Sequence, residues 1–288
     1  MPERKSFKLV FVGLILAVVL SWSVFATRPD HNLHIYFLDV GQGDATLIRT
    51  PEGSDILIDG GPDETVLSEI GEILPFWDRK IELVILTHPD SDHLLGLVSV
   101  MERYAVDEIW KTGIDYQSSI YTEFLNLIDN QGIKSEDVWQ GKQSIFDQQV
   151  DLEVLAPFDC LSGNKVKDTN STSIVCRLDF KGESFLFTGD APIKIEQEFL
   201  AQNVALKSTV LKVGHHGSRN STSREFLEAV LPEIATISCG KDNRFNHPHK
   251  EVLDNLALVN SKVVRTDLAG RIEIIVSDGK LLLKSKTE

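Results

Sequence analysis

The sequence predicts an α/β protein: two mixed sheets packed together, with helices outside. Three observations predict it. Short apolar strands joined by glycine-bearing loops open the body, strand–helix alternation follows, and the second half of the chain repeats that succession. Two packed sheets with outer helices is the simplest arrangement that buries all these faces.

The elements follow in order. Leu33 to Leu38 is a first strand, 39–44 a glycine-bearing loop, and Ala45 to Thr50 a second strand. Pro51-Glu52-Gly53-Ser54 is a turn by composition, and Ile56-Leu57-Ile58-Asp59-Gly60-Gly61 runs from a strand into another glycine loop. Glu64 to Trp77 is amphipathic, with Asp63 as its N-cap. The apolar run Ile81 to Thr87 reads as a buried strand, followed by a helix over 93–103, a strand from Val106 to Trp110 and a helix from Ser119 to Asn130. Further strands are Val150 to Leu155, Ser173 to Phe180 and Ser184 to Thr188, the last two forming a hairpin. The second alternation comprises helix 192–202, strand 208–213, helix 223–230, strand 234–238, helix 249–258 and strand 262–266. A hairpin over 271–276 and 280–283 closes the chain. No proline- or serine-rich linker divides the body, so 31–288 reads as one domain after an N-terminal segment, 1–30.

Composition narrows the function. The 288 residues carry a formal charge of −14 and an apolar fraction of 42%, which fits a globular protein. Glu3 against Arg4, Lys5 and Lys8 gives residues 1–26 a charge of +2, leaving −16 for the rest. That argues against a broad basic nucleic-acid surface, although bound divalent ions would offset the charge locally. Cys160, Cys176 and Cys239 form no close pair, which leaves small buried hydrophobes or at most one bridge.

Leu9 to Ala26 is an uncharged run of 18 residues behind Arg4, Lys5 and Lys8. Its length favours an uncleaved membrane anchor with the body extracytoplasmic. Val24-Phe25-Ala26 also resembles a cleavage site, and cleavage after Ala26 would release a secreted protein.

Four polar clusters sit at or just after strand ends. His88-Pro89-Asp90-Ser91-Asp92-His93 holds four metal-ligating residues in six. Burying two Asp and two His together is costly unless something compensates their charge and lone pairs, and a cation does both. Thr188-Gly189-Asp190, Gly214-His215-His216-Gly217-Ser218 and Asn246-His247-Pro248-His249 are the others, and sites in α/β proteins collect beyond strand carboxyl ends. Six of the eight histidines fall in three of these clusters.

These motifs resemble those of the metallo-β-lactamase fold hydrolases. Asp39-Val40-Gly41-Gln42-Gly43-Asp44, Lys212-x-x-His-His-Gly-Ser and 243–249 narrow the resemblance to the extracytoplasmic hydrolase domain of the ComEC family of competence proteins, over about 33–285. The resemblance implies an αββα sandwich with two divalent metal ions in the cleft between the sheets. It implies Asp92 and His93 as ligands of one ion, His88 and Asp90 of the other, Asp190 as a bridge, and His215 as a further ligand with His216 as its rival. Asp59 would orient a metal histidine. Asp39 and Asp44 are divided between support of the metal site and loop structure. Two departures bear on the metal. Asp90 stands where many members have His, which hardens the site and shifts preference from zinc toward manganese or magnesium. No histidine occurs between His93 and His215, and Asn170-Ser171-Thr172-Ser173 takes that place, so one metal position is expected to be weak.

A two-metal site supplies an activated hydroxide and clamps the attacking and leaving oxygens, which suits phosphodiester hydrolysis. Gln42, Asn170, Ser173, His216 and Ser218 are candidates for contact with phosphate oxygens. His247 is the candidate general acid, with a structural role around Pro248 as its alternative. The expected protein is a membrane-anchored metal-dependent hydrolase, a phosphodiesterase or nuclease acting on nucleic acid strands such as single-stranded DNA, through Asp92, Asp190 and His247 with manganese or zinc. The alternatives are a hydrolase of cell-envelope phosphodiesters and a non-catalytic binding module.

Overall fold

The computed structural model describes residues 11, 13–15 and 29–287. Residues 11 and 13–15 are helical, and the rest of the anchor expected over 9–26 lies outside the described residues. Among the described residues no helix is long and apolar enough to cross a membrane.

Fifteen strands are described in two sheets. The first runs in spatial order β15 (Lys280–Ser285), β14 (Ile272–Ser277), β1 (Leu33–Phe37), β2 (Thr46–Arg49), β3 (Asp55–Ile58), β4 (Lys80–Ile85), β5 (Ala105–Lys111) and β6 (Lys134–Asp137). The second runs β13 (Lys262–Arg265), β12 (Ile234–Ile237), β11 (Val210–Lys212), β10 (Glu183–Phe187), β9 (Val175–Phe180), β8 (Val150–Ala156) and β7 (Gln143–Phe146). Each sheet is antiparallel on one side and parallel on the other, with β3–β6 and β10–β13 the parallel runs. Parallel neighbours require crossover connections, and these are where the helices fall.

Apolar residues of both sheets, among them Phe37, Ile58, Leu178, Phe185 and Ile274, meet in one central core. The outer face of the first sheet packs on α1 (Thr65–Ile73), α2 (Ser91–Met101) and α3 (Ser119–Gln131). The outer face of the second packs on α4 (Ile193–Ala201), α5 (Arg224–Val230) and α6 (Lys250–Leu258), and a short α7 (Thr266–Ala269) precedes β14. The predicted class, two mixed sheets with helices outside, is the observed αββα sandwich.

The differences are local. The first helix ends at Ile73, ahead of Pro75, and its N-cap is Glu64, although Asp63 still accepts from Thr65 N at 2.8 Å. The strand expected from Ser173 begins at Val175, because Asn170–Thr172 forms a 3₁₀ turn that carries Ser173 into the site. Strands β6 and β7 were not expected. All three cysteines are free. One close approach sets the site: α2 runs against the loop after β3 so tightly that a Cβ on Gly96 would strike the Gly60 carbonyl. Gly60 N donates to His93 O at 2.7 Å and Gly96 N to Gly61 O at 3.0 Å, which locks the first turn of α2 to that loop.

Candidate metal centre

The four polar clusters converge at the carboxyl ends of the parallel strands, where the two sheets meet. Asp59 follows β3, His88 to His93 follow β4, Asp190 follows β10, and His215 and His216 follow β11. His88, His93, Asp190 and His216 are buried, at no more than 3% exposure. Ligand atoms of His88, His93 and Asp190 lie within 4.8 Å of one another, as do those of Asp92, His93 and His216, and those of Asp44, Asp190 and His216.

Each inward-facing histidine is aimed by a partner on its other nitrogen. His93 Nδ1 lies 2.7 Å from Asp59 Oδ2, leaving Nε2 to face Asp190 Oδ1 at 3.4 Å. Asp59, at a φ of +59°, also accepts from Thr87 N (2.8 Å) and Thr87 Oγ1 (2.7 Å). The Thr87 hydroxyl proton is thereby committed to Asp59, so Thr87 Oγ1 accepts from His88 Nδ1 at 3.0 Å and His88 Nε2 is left bare. His216 Nδ1 donates to the Ser238 carbonyl at 3.0 Å with Asp44 Oδ1 at 3.2 Å beside it. Its Nε2 stands 3.4 Å from Asp92 Oδ2 and 3.6 Å from Asp190 Oδ2. Asp190 is fixed from behind, its N–H donating to Ser173 Oγ at 3.1 Å.

The protonation tendencies follow from these neighbours. Burial pushes His88 down, and the adjacent His93 adds to it, bringing its pKa to about 4. Burial opposes charge on His93 and His216 as well, but carboxylates outweigh it: Asp190 and Asp59 hold His93 well above its ordinary value, and Asp190 and Asp44 raise His216 to about 10. Burial would raise Asp190, yet His216 and His93 hold it well below the carboxylate range. Even so, Nε2 of His88, His93 and His216 and Oδ1 of Asp190 have no hydrogen-bond partner among the described residues. Orphaned buried nitrogens and carboxylate oxygens gathered this closely call for a group that accepts lone pairs. The donor set, imidazole with carboxylate, fits a divalent metal ion.

The expected residues divide into three sets. His88, Asp92, His93, Asp190 and His216 form the centre. Of the adjacent histidines, His216 is the more buried, and His215 also reaches Asp190 Oδ2 at 3.6 Å but is a quarter exposed, with its Nδ1 facing Asn170 Nδ2 at 3.4 Å. Both histidines sit in the left-handed region, at φ +49° and +54°, which few residues with a Cβ adopt. Asp90 lies at the edge, 3.8 Å from His88 Nε2 and held by Thr169 Oγ1 at 2.6 Å.

A second set supports the centre from behind. Asp44 pairs with the buried Lys212 and adds its charge beside His216, and Asp59 and Ser173 act as above. Ser218 is buried and shapes its own loop, its Oγ accepting from Asn220 N at 3.3 Å. Contact with phosphate oxygens was expected of Ser173 and Ser218; both are buried, each oxygen accepting from a backbone N–H. Asp39 takes the loop alternative: its neighbours are the Gly41 N–H, Glu69 and Lys286, none of them in the centre.

The third set lines the mouth. Gly240 N donates to Gln42 Oε1 at 3.1 Å, which turns the amide Nε2 toward His247 Nδ1 at 3.5 Å. His247 is thereby an acceptor at Nδ1. Burial lowers its pKa and the nearby His216, His215 and His249 lower it further, to about 4. That environment favours the neutral imidazole of His247, with Nε2 left as its donor. Lys212 and Thr87 were not singled out as site residues. The signal for Lys212 was a lone lysine in the apolar strand Val210-Leu211-Lys212-Val213.

A buried centre of imidazoles and carboxylates at the rim of an αββα sandwich is the arrangement of a metal-dependent hydrolase fold. The family model of the Metallo-beta-lactamase superfamily matches residues 38–241, and the chain belongs to that superfamily. Among curated relatives it is 31% identical to ComE operon protein 3 of Bacillus subtilis, over 94% of this chain and 37% of that protein. It is 32% identical to Competence protein ComA of Neisseria gonorrhoeae, over 92% of this chain and 35% of that one. Both are ComEC-family competence proteins, and the chain spans about a third of their length. Among solved structures it resembles Igni18, a metallo hydrolase of Ignicoccus hospitalis, with a TM-score of 0.52 at 15% identity over 83% of this chain and 98% of that one.

Proposed function

We propose that this chain is a metal-dependent phosphodiesterase acting on nucleic acid strands. The observation that carries the reading is the set of orphaned ligand atoms on His88, His93, His216 and Asp190, all buried and gathered in overlapping groups of ligand atoms within 4.8 Å of one another. Asp92, His93 and His216 would hold one divalent ion, His88 and Asp90 the other, with Asp190 between them. The second position has a single imidazole, His88, against two at the first, and would be the weaker. Two ions bound there would supply a nucleophile at neutral pH and neutralise charge on a phosphoryl group.

The chain's own residues do the rest. Asp59 and Thr87 keep the Nδ1 protons of His93 and His88 committed, so their Nε2 lone pairs stay available. Asp44 and the Ser238 carbonyl do the same for His216. His247 and Asn170, at the mouth, are placed to donate to non-bridging phosphate oxygens. Kinship with competence proteins supports a DNA strand as substrate over a cell-envelope phosphodiester. The body would be held outside the membrane by the apolar segment 9–26. Turnover of single-stranded DNA by the full chain, with and without chelator, tests the reading.

A further inference from the structure

Beside the metal centre runs an open groove of about 560 Å³, with Asp92 in its wall toward the metal centre and Arg244 and Phe245 lining it as well. Phe245 is 44% exposed, a large apolar ring left in solvent next to a polar site. Its position is held by design of the loop. Asn243 Oδ1 accepts from Phe245 N at 3.2 Å and His247 N at 2.9 Å, while Asn243 Nδ2 donates to Gly240 O at 2.9 Å and His247 O at 2.7 Å. Gly240 in turn has no room for a Cβ against the Gln42 backbone, so the loop is seated on the 39–44 loop. The ring lies nearly parallel to His247, at 22° and 5.6 Å, and the Arg244 guanidinium stands 4.8 Å from its centroid. Of the residues lining the groove, Arg244 alone carries a positive charge.

A preorganised exposed ring, a flanking guanidinium and a groove that leads to the metal ligands are the parts of a site for single-stranded nucleic acid. Bases of any identity stack on an aromatic face, and a neighbouring cation tracks the backbone. Resting on the phosphodiesterase reading, we propose that Phe245 stacks a nucleobase next to the scissile phosphodiester, and that Arg244 pairs with the adjoining phosphate. A substrate without bases would gain nothing from the ring.

The test uses the full chain with Mn²⁺ and two fluorescent oligonucleotides, one normal and one with abasic residues flanking the scissile position. Phe245→Ala should raise KM for the normal strand about tenfold, the scale of one lost base–aromatic stack. It should leave the abasic strand unchanged, and Phe245→Trp should restore the wild-type value. Circular dichroism and metal content should match wild type in both variants. Equal effects of Phe245→Ala on the two strands, or none on either, would overturn the stacking site while leaving the hydrolase reading intact. If wild type cleaves neither strand nor bis-p-nitrophenyl phosphate, both readings fall.

Discussion

The Asp59 carboxylate lies 2.7 Å from His93 Nδ1 and thereby decides which nitrogen of His93 faces Asp190. The same carboxylate accepts from the backbone and hydroxyl of Thr87, the residue that orients His88. One side chain behind the centre thus aims two ligands. Asp59→Asn should lower metal affinity about 10–100-fold, the usual effect of removing such a support, with the fold kept. Calorimetric titration with Mn²⁺ checks this. Unchanged affinity would show that the tautomer of His93 is set elsewhere.

Asp190 stands against His93, His215 and His216 at 3.4–3.6 Å. Asp190→Ala should empty the centre and abolish turnover. His247→Ala should retain the metal and lose about 10²-fold or less, within the range of a single polar contact at the reacting groups. Elemental analysis of the two purified variants separates the cases, and wild-type metal content in Asp190→Ala refutes the bridging role.

Far from the centre, Asp55 is buried at the start of β3 with both carboxylate oxygens unpartnered among the described residues. Burial raises its pKa to about 8, with Arg49 too distant, at 3.9 Å, to compensate. A carboxyl whose folded pKa exceeds its unfolded value keeps its proton while the unfolded chain loses it. Stability is therefore lost as pH rises from about 4 to 8, and is unaffected by this group below that window. Asp55→Asn should stabilise the protein by about 2–4 kcal/mol at pH 7 and by almost nothing at pH 4. Urea unfolding at the two pH values measures it, and an equal effect at both would mean Asp55 is not the titrating group.

The placement of residues 9–26 gives a separate expectation. Arg4, Lys5 and Lys8 precede an 18-residue uncharged run, so the N-terminus is expected inside and the body outside. Protease added to intact cells should digest the body, and the protein should remain with membranes after a carbonate wash. A protected, cytosolic body would contradict both anchoring and an external substrate.

Much of this was legible in the sequence because the centre is built from short contiguous clusters at strand ends. His88 to His93 announce a metal by composition alone, and apolar runs such as Val84-Ile85-Leu86 mark parallel strands buried on both faces. What stayed hidden depends on backbone geometry. His215 and His216 are chemically identical neighbours, and only the fold buries His216 with its Nδ1 on the Ser238 carbonyl while leaving His215 a quarter exposed. Ser173 and Ser218 carry the right chemistry for phosphate, but folding buries both, their oxygens accepting from Asp190 N and Asn220 N. Strands β6 and β7 escaped notice because Lys134-Ser135-Glu136-Asp137 and Gln143-Ser144-Ile145-Phe146 are edge strands with little apolar alternation. The signal in Asp39 was equal to that in Asp44, and only folding puts Asp44 beside Lys212 and leaves Asp39 facing Glu69.

The central claim is a metal-dependent phosphodiesterase, and one measurement tests it most directly. Cleavage of single-stranded DNA by the full chain is followed after exhaustive EDTA treatment and again after adding Mn²⁺ or Zn²⁺. The account predicts that EDTA abolishes turnover and that Mn²⁺ restores it at least as well as Zn²⁺, because Asp90 and Asp190 make the site oxygen-rich. Turnover that survives complete metal removal would contradict it.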